Sequence, residues 1–208
     1  MANRPPSSPR SLLGWLVLAL ALASCASGVS VRGFGTRASL ALVDTFETDL
    51  TVLGYTASDD SDYSNLEFGV YTRVVNEEDE DLGRLDASVG LVRFAEFEAV
   101  EWSVGGRVYF AESYTLRPFA GLSWVFTAFD DARVQFLDLD IGVMQSARLS
   151  LGTEVILARQ LHLDILLDYS IPISGANFTA TAPAPLPSVD GELEMEGLTL
   201  KIGIGIDF

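Results

Sequence analysis

Four residues in the C-terminal third have side chains that could do chemistry: His162, Asp164, Asp168 and Ser170. They share one parity, so on a strand they would share one face. An imidazole beside carboxylates can serve as a general base toward a hydroxyl. His162 is the single histidine, which excludes a histidine-based metal cage. The competing reading makes the same four residues part of a polar network turned into the fold. The chain has no Gly-rich phosphate loop and no nucleophile-elbow motif.

Oxygen-rich runs form a second group. They are Ser58-Asp59-Asp60-Ser61-Asp62, Glu77-Glu78-Asp79-Glu80-Asp81, Asp130-Asp131 and Asp138-Leu139-Asp140. Calcium needs several oxygens converging on one point, and none of these runs has the EF-hand spacing. They read as solvated surface. With 13 Lys+Arg against 29 Asp+Glu the net charge is −16. That excludes nucleic acid as a partner, because phosphate binding needs a basic face. The one cysteine, Cys25, allows neither an intrachain disulfide nor a thiolate cluster. No cofactor is implied.

The elements that must position these groups begin with an export signal over residues 1–25. Arg4 and Arg10 precede the short apolar core Leu12–Ala23, and small residues follow. Leu22-Ala23-Ser24-Cys25 is similar to a bacterial lipobox, which would make Cys25 the lipidated first residue of the mature chain. The alternative is an ordinary signal cleaved after Ala23 or Ala26. Residues 26–37 are Gly/Ser-rich and read as a flexible lead-in.

From Ala38 onward the pattern is period two, the signature of strands with one apolar face. One strand is expected between Ala38 and Ala57. Seven clear cases follow, around Leu66–Val74, Leu85–Leu91, Val100–Phe110, Leu116–Phe126, Ala147–Leu157, Leu161–Ile171 and Leu198–Phe208. The last, LTLKIGIGIDF, is apolar at every second residue over the ~9–11 positions that a tilted strand needs to cross a bilayer. No later run is long and apolar enough for a membrane helix. Short connections at 76–83, 111–115 and 158–160 alternate with those at 58–62, 95–99, 127–146 and 172–197, of which the last two are long. A phase slip near Gly197 reads as a bulge. Trp102, Phe110, Trp124, Phe126 and Tyr169 lie on the apolar parity, as an aromatic girdle would.

The chain resembles the small bacterial outer-membrane β-barrels, of the type represented by the transmembrane domain of outer-membrane protein A. The export signal, the strand LRPFAGLSWVF (Leu116–Phe126) and the Phe-terminated LKIGIGIDF carry the resemblance. It implies an all-β, closed, antiparallel up-and-down transmembrane barrel of eight strands over residues 38–208, in contact with outer-membrane lipid. It also implies that Phe208 is read by the barrel-assembly machinery. Aliphatic residues would then face lipid. The charged parity would face inward: Glu67, Arg73, Asp86, Glu101, Arg107, Arg117, Arg148, Glu154, His162, Asp164, Asp168 and Lys201. Eight strands leave room only for side chains, so a lumen plugged by Arg–carboxylate clusters is expected. The segments 127–146 and 172–197 would meet an external partner, with Phe129, Val134, Phe136 and Leu137 as apolar grip.

Two other functions stay open, the first an outer-membrane barrel enzyme, lipid-modifying or proteolytic, with His162 as base. Some outer-membrane lipid hydrolases resemble the 162–170 stretch in placing a His and a Ser on one strand. There the pair is two residues apart and faces lipid, whereas here position 164 is Asp and the parity points inward. The other alternative is a soluble periplasmic barrel or lipoprotein holding a small apolar ligand.

Overall fold

The structure, a computed structural model, describes residues 30–61, 63–78, 80–94, 97–110, 115–130, 132–134, 137–181 and 188–208. The export signal with Cys25, and residues 26–29 of the lead-in, lie outside them. The described residues form twelve strands: β1 (Ser30–Val52), β2 (Tyr55–Ser61), β3 (Tyr63–Val75), β4 (Asp81–Phe94), β5 (Phe97–Tyr109), β6 (Leu116–Phe129), β7 (Ala132–Val134), β8 (Leu137–Ile141), β9 (Val143–Ala158), β10 (Leu161–Ser174), β11 (Ala176–Thr181) and β12 (Val189–Asp207).

Eight of them close an antiparallel barrel, β1-β3-β4-β5-β6-β9-β10-β12, sealed by β12 pairing back onto β1 from Gly35↔Asp207 to Val52↔Gly191. Closure leaves no strand edge without hydrogen-bond partners in hydrocarbon. The other four strands rise beyond the ring at the end away from the chain terminus. There β2 pairs with β1, and β11, β8 and β7 extend the sheet from β12.

Two expectations about the first strand are corrected. Residues 30–37 are not a flexible lead-in. They form the first third of β1 and pair with β3. Their glycine is structural: a Cβ on Gly35 would lie 2.1 Å from the Tyr71 ring that rests on it. Nor is 38–57 one strand. The chain reverses at Leu53 (φ 51°) and Gly54 (φ 81°), two left-handed residues in the pattern of a two-residue hairpin turn. Tyr55 is out of phase because the strand has turned back. Ser58–Ser61 is therefore part of β2, not a loop.

The long connections at 127–146 and 172–197 are likewise largely hairpin strands in their described parts. Gly197 is no bulge, because β12 keeps its register with β1 across it, from Thr45↔Leu198 to Glu47↔Glu196. The register shift of this seam lies on β1, between Ala41 and Val43 opposite Lys201 and Leu200. Leu193, Met195, Gly197, Thr199 and Lys201 all point inward. What changes at Gly197 is the solvent outside. Beyond it Glu192, Glu194 and Glu196 face outward, and before it Leu198, Leu200, Ile202, Ile204 and Ile206 do. From Leu198 to Phe208 is ten residue steps, roughly 34 Å of strand and about 26 Å along the axis at a tilt of ~40°. That matches the ~25 Å apolar band of outer-membrane barrels.

The outer belt is inverted relative to a soluble protein. Leu122, Leu151 and Val70 are 58–60% exposed, while Arg84, Glu154, His162 and Asp164 are 0–2% exposed. Large exposed apolar area is costly in water and favourable against acyl chains. Trp102, Trp124 and Phe110 are exposed on this belt, and Phe126 and Tyr169 are half-buried on it.

Candidate functional site

Alternation dictates the interior. Odd residues of β3, β5, β6 and β12 and even residues of β4, β9 and β10 turn inward. All twelve charged or imidazole residues expected in the lumen lie on these inward parities, and each makes an ionic or hydrogen-bonding contact there. They form two tiers.

The tier nearer the far end centres on Glu67 and Arg148. Arg148 reaches Glu101 at 2.7 Å, Glu67 at 3.5 Å and Asp168 at 3.9 Å. Lys201 lies 3.0 Å from Asp168 and 3.3 Å from Glu67. Asn65 donates to Glu101 at 3.0 Å and to the Tyr63 hydroxyl at 2.6 Å.

The tier nearer the terminus centres on Arg84. Its guanidinium meets Asp164 at 2.6 Å, Glu154 at 3.1 Å and Asp86 at 3.2 Å, and lies 4.4 Å above the Tyr71 ring. Arg107 adds contacts to Asp164 at 3.2 Å and Asp86 at 3.7 Å, and stacks on Phe119. At the mouth, Arg73 pairs with Asp207 at 2.8 Å, Asp81 at 3.1 Å and Glu154 at 3.4 Å, and Arg117 with Asp81 at 2.6 Å. Arg37 ties the tiers, lying 2.6 Å from Glu67 and 3.5 Å from Asp86. Each buried charge thus has a partner, without which its desolvation would cost several kcal/mol per ion, on the order of the handicap known for buried ions.

Sequence reasoning missed Arg37, Arg84, Asp81 and Asp207 as members. The signal existed for Arg84 and Asp207, which share inward parity with Asp86 and Lys201. It also missed the apolar cap. Above the charged tiers, Phe46, Tyr63, Phe94, Phe129, Met144 and Met195 pack together as a buried apolar cluster. Phe46 stacks on Tyr63 with ring centroids 4.3 Å apart, and Tyr63 lies 4.9 Å from Phe94. The expected grip of Phe129 on an outside partner is corrected by this cluster, since the ring is buried in it. Phe136 lies outside the described residues.

The His162 ring sits on Gly205, where a Cβ would come within 2.2 Å of Nε2. Nε2 is 3.1 Å from Arg84 Nη1. A guanidinium only donates, so Nε2 accepts, and its lone pair is occupied. Asp164 and His162 share the Arg84 guanidinium, and Ser170 is eight residues further along β10, roughly 26 Å away at strand rise. The structure does not bring Ser170 to the imidazole. Glu154, His162 and Asp164 are the kind of trio that can hold a metal ion, but here they surround Arg84, which supplies the positive charge. Phe208 ends the belt, 75% exposed, its N–H donating to the Phe34 carbonyl at 2.8 Å.

No family model and no curated protein matches the sequence. Solved structures do match. The outer membrane protein OprG from Pseudomonas aeruginosa superposes with a TM-score of 0.55 at 14% identity, over 88% of this chain and 96% of that one. The outer membrane protein AlkL, solved in lipid bilayers, gives 0.53 at 16% identity over 100% and 96%. Neisserial surface protein A gives 0.50 at 12% over 86% and 99%. What they share with this chain is the fold, a small closed antiparallel β-barrel.

Proposed function

We propose that this chain, an eight-stranded barrel of the bacterial outer membrane, is a sealed, non-enzymatic envelope protein that presents its far-end sheet to an external partner. Two layers of packing inside the ring support this reading. Paired charges fill the belt level, and the Phe46–Tyr63–Phe94–Phe129 cluster caps it. An eight-stranded ring has no width left for a water-filled pore once its side chains are placed. Purified protein in planar bilayers is expected to give no unitary current, and discrete conductance steps would overturn the reading.

The engaged Nε2 of His162 supports a structural role for the imidazole rather than base catalysis. His162→Ala should therefore leave the lipid composition of the membrane unchanged, and an altered lipid profile would restore the enzyme. The surface role belongs to the β7–β8 and β11 hairpins at 127–146 and 172–197. An epitope inserted between Thr181 and Ser188 should be labelled on intact cells. Labelling only after the outer membrane is broken would place that end inside and end the surface role. Phe208 fits an assembly signal because it directly follows the last strand and is largely exposed. Phe208→Ala should lower the amount of assembled protein without lowering its stability once folded.

A further inference from the structure

Between the two charged tiers lies a chamber with about 20 Å³ open to the centre of a water molecule. It exists because β5, β6 and β9 turn small residues inward at this level: Ser103, Gly121, Ser123 and Ser150. The long side chains that reach it are Arg37, Arg107 and Arg148 on one hand and Glu67, Asp86 and Asp168 on the other. Three guanidinium groups and three carboxylates balance, so the surroundings favour a neutral occupant.

The hydrogen-bonding inventory narrows the choice. Arg37 Nε and Arg148 Nε have only ionic contacts, to Asp86 Oδ1 at 3.5 Å and Asp168 Oδ2 at 3.9 Å. Asp86 Oδ1 also faces Arg84 Nε at 3.2 Å. None of Arg37 Nε, Arg148 Nε and Asp86 Oδ1 makes an aligned hydrogen bond. The three side chains are 6–10% exposed. An unmade hydrogen bond at a buried charged group is expensive. A halide would accept from the two Nε–H groups but face the carboxylates. A metal ion would suit the carboxylates but face the guanidinium groups. Water both accepts and donates, and the space exceeds the ~10–15 Å³ that one molecule requires.

We propose that the chamber is a resident water site. A water held there accepts from the arginine Nε–H groups, donates to Asp86, and joins the Arg148 tier to the Arg84 tier. The inference rests on the closed-lumen reading, which gives the water no easy exit.

The test uses the full barrel in detergent micelles. Water-selective NMR of the wild type should show magnetisation transfer from a long-lived water to the Arg148 Nε–H. Magnetic relaxation dispersion should then count one fewer long-lived water in Ser123→Leu, a variant that fills the chamber. Heat-modifiable gel mobility checks that this variant is folded. If it is not, the wild-type transfer decides alone. Absence of the transfer, an unchanged count in a folded variant, or bromide density at the site after halide soaking of crystals would each overturn the assignment. Conductance separates the two claims: a non-conducting barrel without the transfer loses only this site, whereas a conducting barrel loses the closed lumen as well.

Discussion

Arg84 donates to Asp164 at 2.6 Å across the full width of the barrel, because β4 and β10 stand four strands apart in a ring of eight. Arg148 and Glu67 make a second such tie, between β9 and β3, at 3.5 Å. The backbone ladder fixes neighbours only. These cross-lumen pairs fix opposite walls, and so hold the shape of the cross-section.

Removing one end of such a tie should cost more than removing both. Arg84→Met leaves Asp164 and Glu154 short of a buried partner, and a loss of about 3–5 kcal/mol is expected. Arg84→Met with Asp164→Asn should recover part of it. Urea-driven unfolding from lipid vesicles measures both, and equal or additive losses would contradict the pairing.

The solvent change along β12 gives a position-dependent result. Ile204 is 49% exposed in the apolar belt, and Ile204→Arg there should destabilise by about 2–4 kcal/mol. Glu194→Arg, on the same outer face but beyond Gly197, should be neutral or slightly stabilising, since it faces Asp49 across the strands. Folding titrations in vesicles compare the two. A similar penalty at both would place the belt wrongly.

Leu53 holds φ at 51°, where an L-residue with a bulky side chain is strained by roughly 1 kcal/mol or more. Asn tolerates that conformation. Leu53→Asn should stabilise the β1–β2 hairpin, visible as slower amide exchange over Phe46–Ser61, with the barrel otherwise unchanged. Faster exchange would count against the left-handed turn.

The fit of His162 on Gly205 is a steric one. Gly205→Ala should destabilise by about 1–3 kcal/mol through overpacking, and adding His162→Ala should relieve it. Thermal gel-shift midpoints test this, and no relief in the double variant would show the ring is elsewhere.

The sequence made the barrel legible where one chemistry lay on each face. Leu198–Phe208 and Leu161–Ile171 declare both strand and orientation, and the twelve luminal residues follow from parity. Reading failed where composition mimicked something else. Gly33 and Gly35 resembled a flexible lead-in and concealed Arg37, although Gly35 is small because Tyr71 lies on it. The acidic run at 58–62 resembled a loop, but its described part, Ser58–Ser61, belongs to β2. The apolar phase reversed near Gly197 although β12 pairs regularly with β1 there, the register shift lying on β1 at Ala41/Val43, because periodicity reports the contrast between two surroundings and cannot say which of them changed. Pairings such as Arg84 with Asp164 were beyond reach, since they depend on ring order rather than on neighbours.

The seam where the first and last strands meet has two regimes. Near the terminus its rungs are apolar on the outside, as at Ala38↔Ile204 and Leu40↔Ile202. Further out, Glu47 stands opposite Glu196 and Asp49 opposite Glu194. Facing carboxylates repel across adjacent strands, so the zipper is self-tightening under lipid and self-loosening above it. Ionic strength becomes its tension control, and breathing of the ring should begin at that outer lip and stop where the acyl chains start.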